Sequence, residues 1–265
     1  MKLIKAHAYG NDFLLVDAAE LPAGVAPADV ARAVCDRHRG AGADGLLAFS
    51  TAPAGGRASM RLFNADGSRS EISGNGLRCL AAWLAREGQR STLEIETDAG
   101  PKRLELVGCD ASRLTFRASM GMPEEVREER LDVGGVSVPA ITLRVGNPQC
   151  VVLGEVTTHR LHTVAAALAV HPRFPEGTNV ELAAVEAADR VRILIWERGV
   201  GPTEASGTGA CAAAVAAMAF GGAARDVQVT SPGGTQRVEW KPDGLYLTGW
   251  AEVVAEIRWL PVFDP

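Results

Sequence analysis

The chain has 265 residues, of which 47% are hydrophobic and 22% are charged, so it can bury one large core or two of ordinary size. Its net charge of −5 argues against a nucleic-acid partner, and its longest apolar stretch, about residues 210–220, is too short to span a bilayer. Five cysteines without a C-x-x-C pair argue against a metal site or a disulfide framework, and the short polar N-terminus argues against a signal peptide. We therefore expect a cytoplasmic protein with reduced thiols.

Strands outnumber helices among the predicted elements. Hydrophobic period and turn residues predict, in chain order, strands at residues 13–16, 59–63, 92–97, 113–116, 141–145, 191–196, 227–230 and 245–247, and helices at 28–37, 75–86, 162–170 and 208–220. Several strands alternate polar and apolar residues, which indicates a sheet with one solvated face. The last helix is apolar on all sides, which predicts that it is buried.

The two halves of the sequence match each other in order. The matched segments are residues 73–76 with 206–209, 10–11 with 146–147, and 42–47 with 177–182, at separations of 133, 136 and 135 positions. This order indicates an internal duplication. It predicts an α/β (α+β) fold of two pseudo-symmetric halves, each a mostly antiparallel sheet wrapped round a central helix, with an active-site cleft between them. The predicted halves are residues 1–118 and 119–251, and a return of residues 252–265 to the first half is left open.

Each half presents a Ser-Gly-x-Gly turn that opens a helix, at residues 73–76 and 206–209. A structural interpretation is sufficient for one such turn, because serine is a favoured N-cap and glycine permits tight turns. The alternative is an anion site, because the first N–H groups of a helix point outward and the helix dipole favours negative charge. Two copies at repeat-related positions favour the anion site.

Two cofactor interpretations are less favoured. Residues 207–212 match G-x-G-x-x-A after a strand, but the dinucleotide fingerprint needs an acidic residue at the end of the next strand, and Asp226 precedes that strand. The four lysines lie in no evident site, which argues against a pyridoxal-phosphate Schiff base. We expect no cofactor and no metal.

Other polar residues at the turns suggest contacts to a small amino acid. Glu197 and Arg198 end an apolar strand, where they form either a surface ion pair or a pair that matches a zwitterion's amine and carboxylate. Four asparagines lie in turn-like segments, where asparagine is common, but their repeat-related positions favour ligand contacts. They are Asn11, Asn64, Asn147 and Asn179.

This constellation resembles the diaminopimelate epimerase family. The resemblance is carried by residues 10–13 (Gly-Asn-Asp-Phe), 36–45, 63–68, 74–79, 146–148, 174–180, 197–201 and 207–212, in the family's order. It implies two pseudo-symmetric α/β halves and a PLP-independent isomerase that interconverts LL- and meso-2,6-diaminopimelate in lysine and cell-wall synthesis. It also implies a free amino acid as the ligand, and a homodimer is left open.

The family mechanism, carried over by position, gives each residue a role. One group on each face of the α-carbon removes or returns the proton, and in the family both groups are thiols at helix starts, where the pKa of a thiol can fall. The reacting end of the substrate would be held by Asn11, Gly74, Asn75, Gly207 and Thr208. The distal amino-acid group would contact Asn64, Asn147, Asn179 and Arg198, and Glu197 would support the base.

The sequence departs from the family at the residues on which the reaction depends. Ser73 and Ser206 stand where the family has its two catalytic cysteines, and Gln149 stands where it has a histidine. A serine hydroxyl is a much weaker acid than a thiol and needs another group to take its proton. Gln149 cannot do so, because an amide does not titrate near neutral pH.

Three explanations remain open. The two serines could be engineered replacements that trap a ligand, although this does not account for Gln149. The protein could be a different PLP-independent racemase, isomerase or dehydratase with a carboxylate base, for which the candidates are Glu71, Glu197 and Glu204. It could also be an amino-acid-binding protein without catalysis. The catalytic assignment from sequence is therefore Ser73, Ser206, Glu197 and Gln149, in an epimerase that is impaired or altered.

Overall fold

A computed structural model describes residues 1–52, 57–88 and 91–260 and shows a mixed α/β protein. Its contacts divide the chain into two compact units. Unit 1 is Met1–Ala118 together with the segment that begins at Gly249, and unit 2 is Ser119–Thr248. No helix among the described residues is both long and apolar enough to cross a membrane.

The described residues of unit 1 form two helices and eight strands. The helices are α1 (Pro27–Cys35) and α2 (Gly74–Gly88), with a short 3-10 turn at Ala18–Glu20. The strands are β1 (Lys2–Ala8), β2 (Asn11–Asp17), β3 (Gly45–Thr51), β4 (Arg57–Asn64), β5 (Arg69–Ser70), β6 (Thr92–Glu96), β7 (Lys102–Asp110) and β8 (Arg113–Gly121), whose last residues belong to unit 2.

Unit 2 repeats this arrangement. Its strands are β9 (Glu124–Val133), β10 (Val136–Arg144), β11 (Pro148–Leu153), β12 (Asn179–Ala187), β13 (Arg190–Glu197), β14 (Gly201–Thr203), β15 (Asp226–Ser231), β16 (Gly234–Lys241) and β17 (Gly244–Arg258), which continues into unit 1. Its helices are α3 (Thr158–Arg160), a π turn (Leu161–Ala165), α4 (Ala166–Ala169) and α5 (Gly207–Phe220).

The strand order is the same in both units. In unit 1 the pairing runs β17-β1-β2-β3-β4-β6-β7-β8, and β5 pairs with β4. In unit 2 it runs β9-β10-β11-β12-β13-β15-β16-β17, and β14 pairs with β13. Two pairs in each unit are parallel, at equivalent places, and the others are antiparallel. The predicted pseudo-symmetric, mostly antiparallel architecture is confirmed.

A central helix lies against the sheet in each unit. In unit 2, α5 packs against strands β10 to β13 and against β15 and β16, and its residues 207–218 are all buried. This is the environment that a helix with no polar face requires. In unit 1, α2 packs against β1 and β2. The first residues of both helices, 74–79 and 207–212, are buried.

A second helix covers the opposite face of each sheet. In unit 1, Val30 and Val34 of α1 pack against Leu14 and Leu46. In unit 2, Leu161 and Leu168 pack against Leu182. The helix predicted at residues 162–170 is displaced, because the helical segment begins at Thr158, where the Thr157 hydroxyl caps it by accepting from Arg160 N–H. The start signal that the prediction missed is this threonine cap.

Candidate active site

The first element of the site is the start of α2. The Ser73 hydroxyl oxygen accepts a hydrogen bond from Gly76 N–H at 3.0 Å, and the Ser73 carbonyl accepts from Leu77 N–H at 2.9 Å. Ser73 is therefore the N-cap, and the peptide groups of Gly74 and Asn75 form the first turn. These residues are buried, and the N–H groups of a first helical turn favour an anion.

The start of α5 repeats this geometry in unit 2. The Ser206 hydroxyl oxygen accepts from Gly209 N–H at 3.1 Å, and its carbonyl accepts from Ala210 N–H at 3.0 Å. Ser206 and Thr208 are both buried, and their hydroxyl oxygens are 3.4 Å apart. Ser73 and Ser206 are thus both helix caps, and both residues are buried.

In unit 1, a chain of side-chain hydrogen bonds connects the asparagines at the helix start. Buried Arg78 donates to Asn75 Oδ1, and Asn75 Nδ2 donates to Asn11 Oδ1 at 3.0 Å. Asn11 Nδ2 then donates to Asp44 Oδ2 at 2.8 Å. Because an arginine is only a donor and a carboxylate only an acceptor, the two ends fix the orientation of both amides. Asn11 and Asn75, separate in sequence, are brought into contact.

An ion-pair cluster contacts Asp44, the last residue of this series of hydrogen bonds. Arg37 Nη2 donates to Asp44 Oδ1 at 2.7 Å and to Asp12 Oδ1 at 2.8 Å, and Lys5 also pairs with Asp12. Burial raises the pKa of Asp12, but the hydrogen bonds from Arg37 and Lys5 outweigh it and lower the pKa below its ordinary value. Burial and the charge of Asp12 raise the pKa of Asp44. The cluster fixes Asn11 and its loop.

Asn64 belongs to a different local arrangement. It ends β4, is buried, and its Nδ2 donates to Ser68 Oγ at 3.0 Å. The Asn64 N–H also donates to the Ser68 carbonyl at 2.8 Å, which closes a tight turn. The local turn accounts for this asparagine, and its predicted contact with a substrate stays a prediction.

In unit 2, the predicted residues form one buried polar cluster. The orientation of the Gln149 amide follows from its neighbours: Nε2 lies 3.1 Å from Glu181 Oε1, and Oε1 lies 3.2 Å from both Thr208 Oγ1 and Asn179 Nδ2. The amide of Asn147 also contacts that of Gln149, at 2.6 Å. Gln149 therefore connects two predicted ligand contacts to the start of α5.

Arg198 and Glu197 lie beside this cluster. Asn179 Oδ1 accepts from Arg198 N–H at 2.9 Å, so the asparagine holds the end of β13 in place. Glu197 is half-buried. Of the two other candidate carboxylates, Glu71 is half-buried and Glu204 is exposed. The arrangement brings Asn147, Gln149, Asn179 and Arg198 together, and their contact with a substrate stays a prediction.

Glu181 is the residue that sequence reasoning missed. It lies on β12, it is fully buried, and its Oε1 is 2.6 Å from the position that a Cβ on Gly209 would take. Burial and then the charge of Glu197 raise the pKa of Glu181 well above its ordinary value. One acidic residue in the apolar run at 180–184 was the available signal, because a buried carboxyl without a local reason is uncommon.

A pocket of about 300 Å³ opens in unit 2 next to the polar cluster. Its lining includes Gln149 and Pro148, and its charged residues are Arg144, Arg173, Glu125 and Glu176. This volume is at the lower end of the range for small-molecule sites, so the pocket suits a ligand of amino-acid size.

Comparison with known proteins identifies the family of this chain. The family model described as Diaminopimelate epimerase matches residues 3–125 and 141–254. Diaminopimelate epimerase from Desulforudis audaxviator is 41% identical over 98% of this chain and 99% of the relative. This chain belongs to the diaminopimelate epimerase family. The protein of that name from Microcystis aeruginosa is 35% identical over 95% of this chain and 96% of the relative.

Solved structures with little sequence identity share the fold. A probable proline racemase from Agrobacterium radiobacter K84 superposes with a TM-score of 0.78 at 17% identity, covering 100% of this chain and 94% of that one. A phenazine biosynthesis protein of the PhzF family from Bacillus anthracis gives a TM-score of 0.71 at 15% identity, covering 98% of this chain and 99% of that one. These comparisons establish the α/β architecture.

Proposed function

We propose that this chain is a PLP-independent amino-acid epimerase of the cytoplasm that acts on 2,6-diaminopimelate, with serine hydroxyl groups in place of the two thiols. The single observation that carries the proposal is the pair of serine-capped helix starts, with the same capping bond in each unit. Inversion at an α-carbon needs one proton-transferring group for each face of that carbon, and each unit supplies one.

The helix starts supply binding as well as chemistry. In this proposal, the α-carboxylate accepts hydrogen bonds from the first-turn N–H groups, Gly74 and Asn75 in unit 1 and Gly207 and Thr208 in unit 2. When the α-proton leaves, negative charge spreads onto that carboxylate, and donors that are already oriented stabilise it. The amides of Asn11 and Asn75 are held for this purpose by the hydrogen-bond chain that begins at Arg78.

The distal amino-acid group is the proposed ligand of the unit 2 cluster. Asn147, Asn179 and Arg198 lie there, and the neighbouring pocket has Arg144 and Arg173 in its lining. Asn64 is proposed as the unit 1 contact to the same group. Glu197, half-buried near Glu181, supports the group that holds the proton.

The serines make this enzyme slow, because a hydroxyl group releases its proton much less readily than a thiol. Cys79 cannot replace them, since burial raises the pKa of its thiol to about 12. We expect the double variant Ser73→Cys/Ser206→Cys to raise kcat for epimerisation of LL-diaminopimelate by about 100-fold or more, within the range of general acid–base effects. The measurement is product formation together with α-deuterium incorporation in deuterated water.

Three controls define the outcome. Ser73→Cys and Ser206→Cys alone should each give less than the double variant, and Ser91→Cys should change nothing because it adds a thiol at an exposed position. Calorimetry on wild type measures binding separately. Binding without α-deuterium incorporation in any variant would refute the epimerase and identify an amino-acid-binding protein, and exchange on another amino acid alone would identify a different racemase or isomerase.

A further inference from the structure

The two helix starts differ in the side chain nearest to the second glycine of each Ser-Gly-x-Gly turn, which is Gly76 in α2 and Gly209 in α5. A Cβ on Gly76 in unit 1 would meet Leu47 Cδ1 at 3.3 Å, whereas a Cβ on Gly209 in unit 2 would meet Glu181 Oε1 at 2.6 Å. The equivalent positions are therefore Leu47, a core residue, and Glu181, a carboxylic acid. The symmetry of the fold is broken by a titratable group in one unit.

The strand register confirms this equivalence. In unit 1, β2 and β3 pair in parallel with Phe13 opposite Gly45, and in unit 2, β11 and β12 pair in parallel with Gln149 opposite Asn179. Two residues further along β3 and β12 lie Leu47 and Glu181. The apolar Phe13 and Leu47 of unit 1 thus correspond to the polar Gln149 and Glu181 of unit 2, so a hydrogen-bonded pair replaces a hydrophobic one.

Glu181 and the hydroxyl group of Ser206 border the same gap at Gly209. Ser206 Oγ is 3.1 Å and Glu181 Oε1 is 2.6 Å from the same point, the place of the missing Cβ of Gly209. Glycine at 209 therefore leaves open a gap that both the carboxyl group and the serine oxygen border. Gln149 Nε2 lies 3.1 Å and 3.3 Å from the two carboxyl oxygens and holds the group there.

We propose that Glu181 is a positioning residue that accepts the hydroxyl proton of Ser206 during catalysis, an inference that rests on the proposed function. The Ser206 oxygen removes the proton from the α-carbon while its own hydroxyl proton moves to the Glu181 carboxylate. The electron pair of the broken C–H bond stays on the α-carbon and spreads into the substrate carboxylate. The reverse transfer returns a proton, or a deuteron after exchange with solvent.

The titratable neighbours of Glu181 among the described residues set its proton affinity. Glu197 on β13 raises the pKa of Glu181 by its like charge, after the larger effect of burial. Burial and then the charge of Glu181 raise the pKa of Cys150 on β11. The start of α5 places hydroxyl groups near Glu181, and β11 contributes the Gln149 amide. A carboxyl with a raised pKa is a better proton acceptor near neutral pH than an ordinary glutamate.

This assignment predicts asymmetric chemistry. Leu47 can accept no proton, so the face served by Ser73 is the slower one. We expect one configuration of the substrate to exchange its α-hydrogen with solvent about 10-fold or more faster than it inverts. Ser73→Cys alone should raise the inversion rate more than Ser206→Cys alone, because it repairs the slower face.

The first test needs no substrate. The thiol of Ser206→Cys is titrated by alkylation against pH, with mass spectrometry to separate it from the native cysteines, in the presence and absence of Glu181→Gln. We expect Glu181→Gln to lower the midpoint by about 0.5 pH units or more, because a neighbouring carboxylate disfavours a thiolate. The thiol of Ser73→Cys is the matched control and should not shift. An unchanged midpoint at position 206 would overturn the proposal.

The second test uses the reaction. Glu181→Gln should lower α-deuterium exchange about 100-fold while KM stays within about threefold, and it should remove the rise of the rate with pH. Glu186→Gln, on the exposed part of the same strand, is the control, and Glu181→Asp should recover part of the exchange. If Glu181→Gln kept the exchange rate and the pH profile of wild type, Glu181 would have a structural role only. No exchange by wild type, with the alkylation shift present, would refute the proposed substrate and leave the coupling intact.

Discussion

At the scale of single residues, each of the two serines is the N-cap of a helix and is also the residue to which our proposal assigns a proton transfer. Each hydroxyl oxygen accepts from the N–H three residues later, so each serine stabilises its helix whether or not it moves a proton. The sequence alone gave both interpretations for these turns. The structure shows that the cap is formed in both units, so a role in catalysis is an addition to the cap and not an alternative to it.

The two cap glycines provide a prediction at this scale. Gly209→Ala should destabilise the protein by about 1–3 kcal/mol, because its Cβ would collide with the buried Glu181 carboxyl. Gly76→Ala meets only side-chain carbons at 3.3 Å and gains helix propensity, so its cost should be smaller by at least about 1 kcal/mol. Urea unfolding of both variants checks this. Equal costs would show that Glu181 can move aside.

At the scale of elements, the strand pattern explains which parts were predictable. Six of the eight predicted strands lie within β2, β4, β8, β13, β15 and β17, and those at 92–97 and 141–145 run one residue past the ends of β6 and β10. In all eight, alternation or an apolar run is clear. The strand β9 was missed because its residues, Glu-Glu-Val-Arg-Glu-Glu-Arg, are charged on both faces, and only pairing with β10 makes it a strand. The strand β11 was missed because it begins with Pro148, which usually marks a turn.

Helix capping gives the prediction for the elements. Ser73→Ala and Ser206→Ala should each lower the free energy of unfolding by about 1 kcal/mol, because Gly76 or Gly209 loses its side-chain acceptor. Ser206→Gly is the matched variant and should cost only a few tenths of a kcal/mol, because glycine is tolerated at the N-cap. Chemical denaturation measures all three. An alanine cost no larger than that of glycine would contradict the cap.

At the scale of the whole molecule, stability should depend on pH in two opposite ways. The pKa of Asp12 is lowered in the folded state, so its contribution is present above the ordinary pKa of an aspartate and is lost as the pH falls. The pKa of Glu181 is raised, so its contribution is complete below about pH 4.3 and is lost as the pH rises to the folded-state value. Glu181 is buried, so this loss is not screened by solvent.

We therefore expect the free energy of unfolding of Glu181→Gln to fall less steeply than that of wild type as the pH rises. In that window each pH unit costs wild type about 1.4 kcal/mol relative to the variant. The acid side of the curve, which includes Asp12, should be the same in both proteins. Denaturant unfolding from pH 4 to pH 8 measures this, and parallel curves across the range would mean that Glu181 titrates normally.

The cytoplasmic location and a homodimer stay predictions.

The repeat shows how far sequence reasoning reached and where it stopped. The order of motifs and the repeated Ser-Gly-x-Gly turns were sufficient to predict the fold, the family and the residues at both helix starts. Aligning residues 42–47 with 177–182, however, placed Glu181 opposite Leu46. The structure shifts this correspondence by one, so that Glu181 corresponds to Leu47 and faces the central helix. A shift of one residue moves a side chain to the other face of a strand.

The sequence by itself thus determined what depends on local chemistry: capped helix starts, a buried apolar helix and asparagines in turns. Only the tertiary structure decided which distant side chains meet. Asn11 reaches Asn75, Gln149 reaches Glu181, and Glu181 reaches the gap at Gly209. These contacts join strands and helices far apart in the chain, and their strand register follows from the packing of whole faces. No local pattern encodes that register.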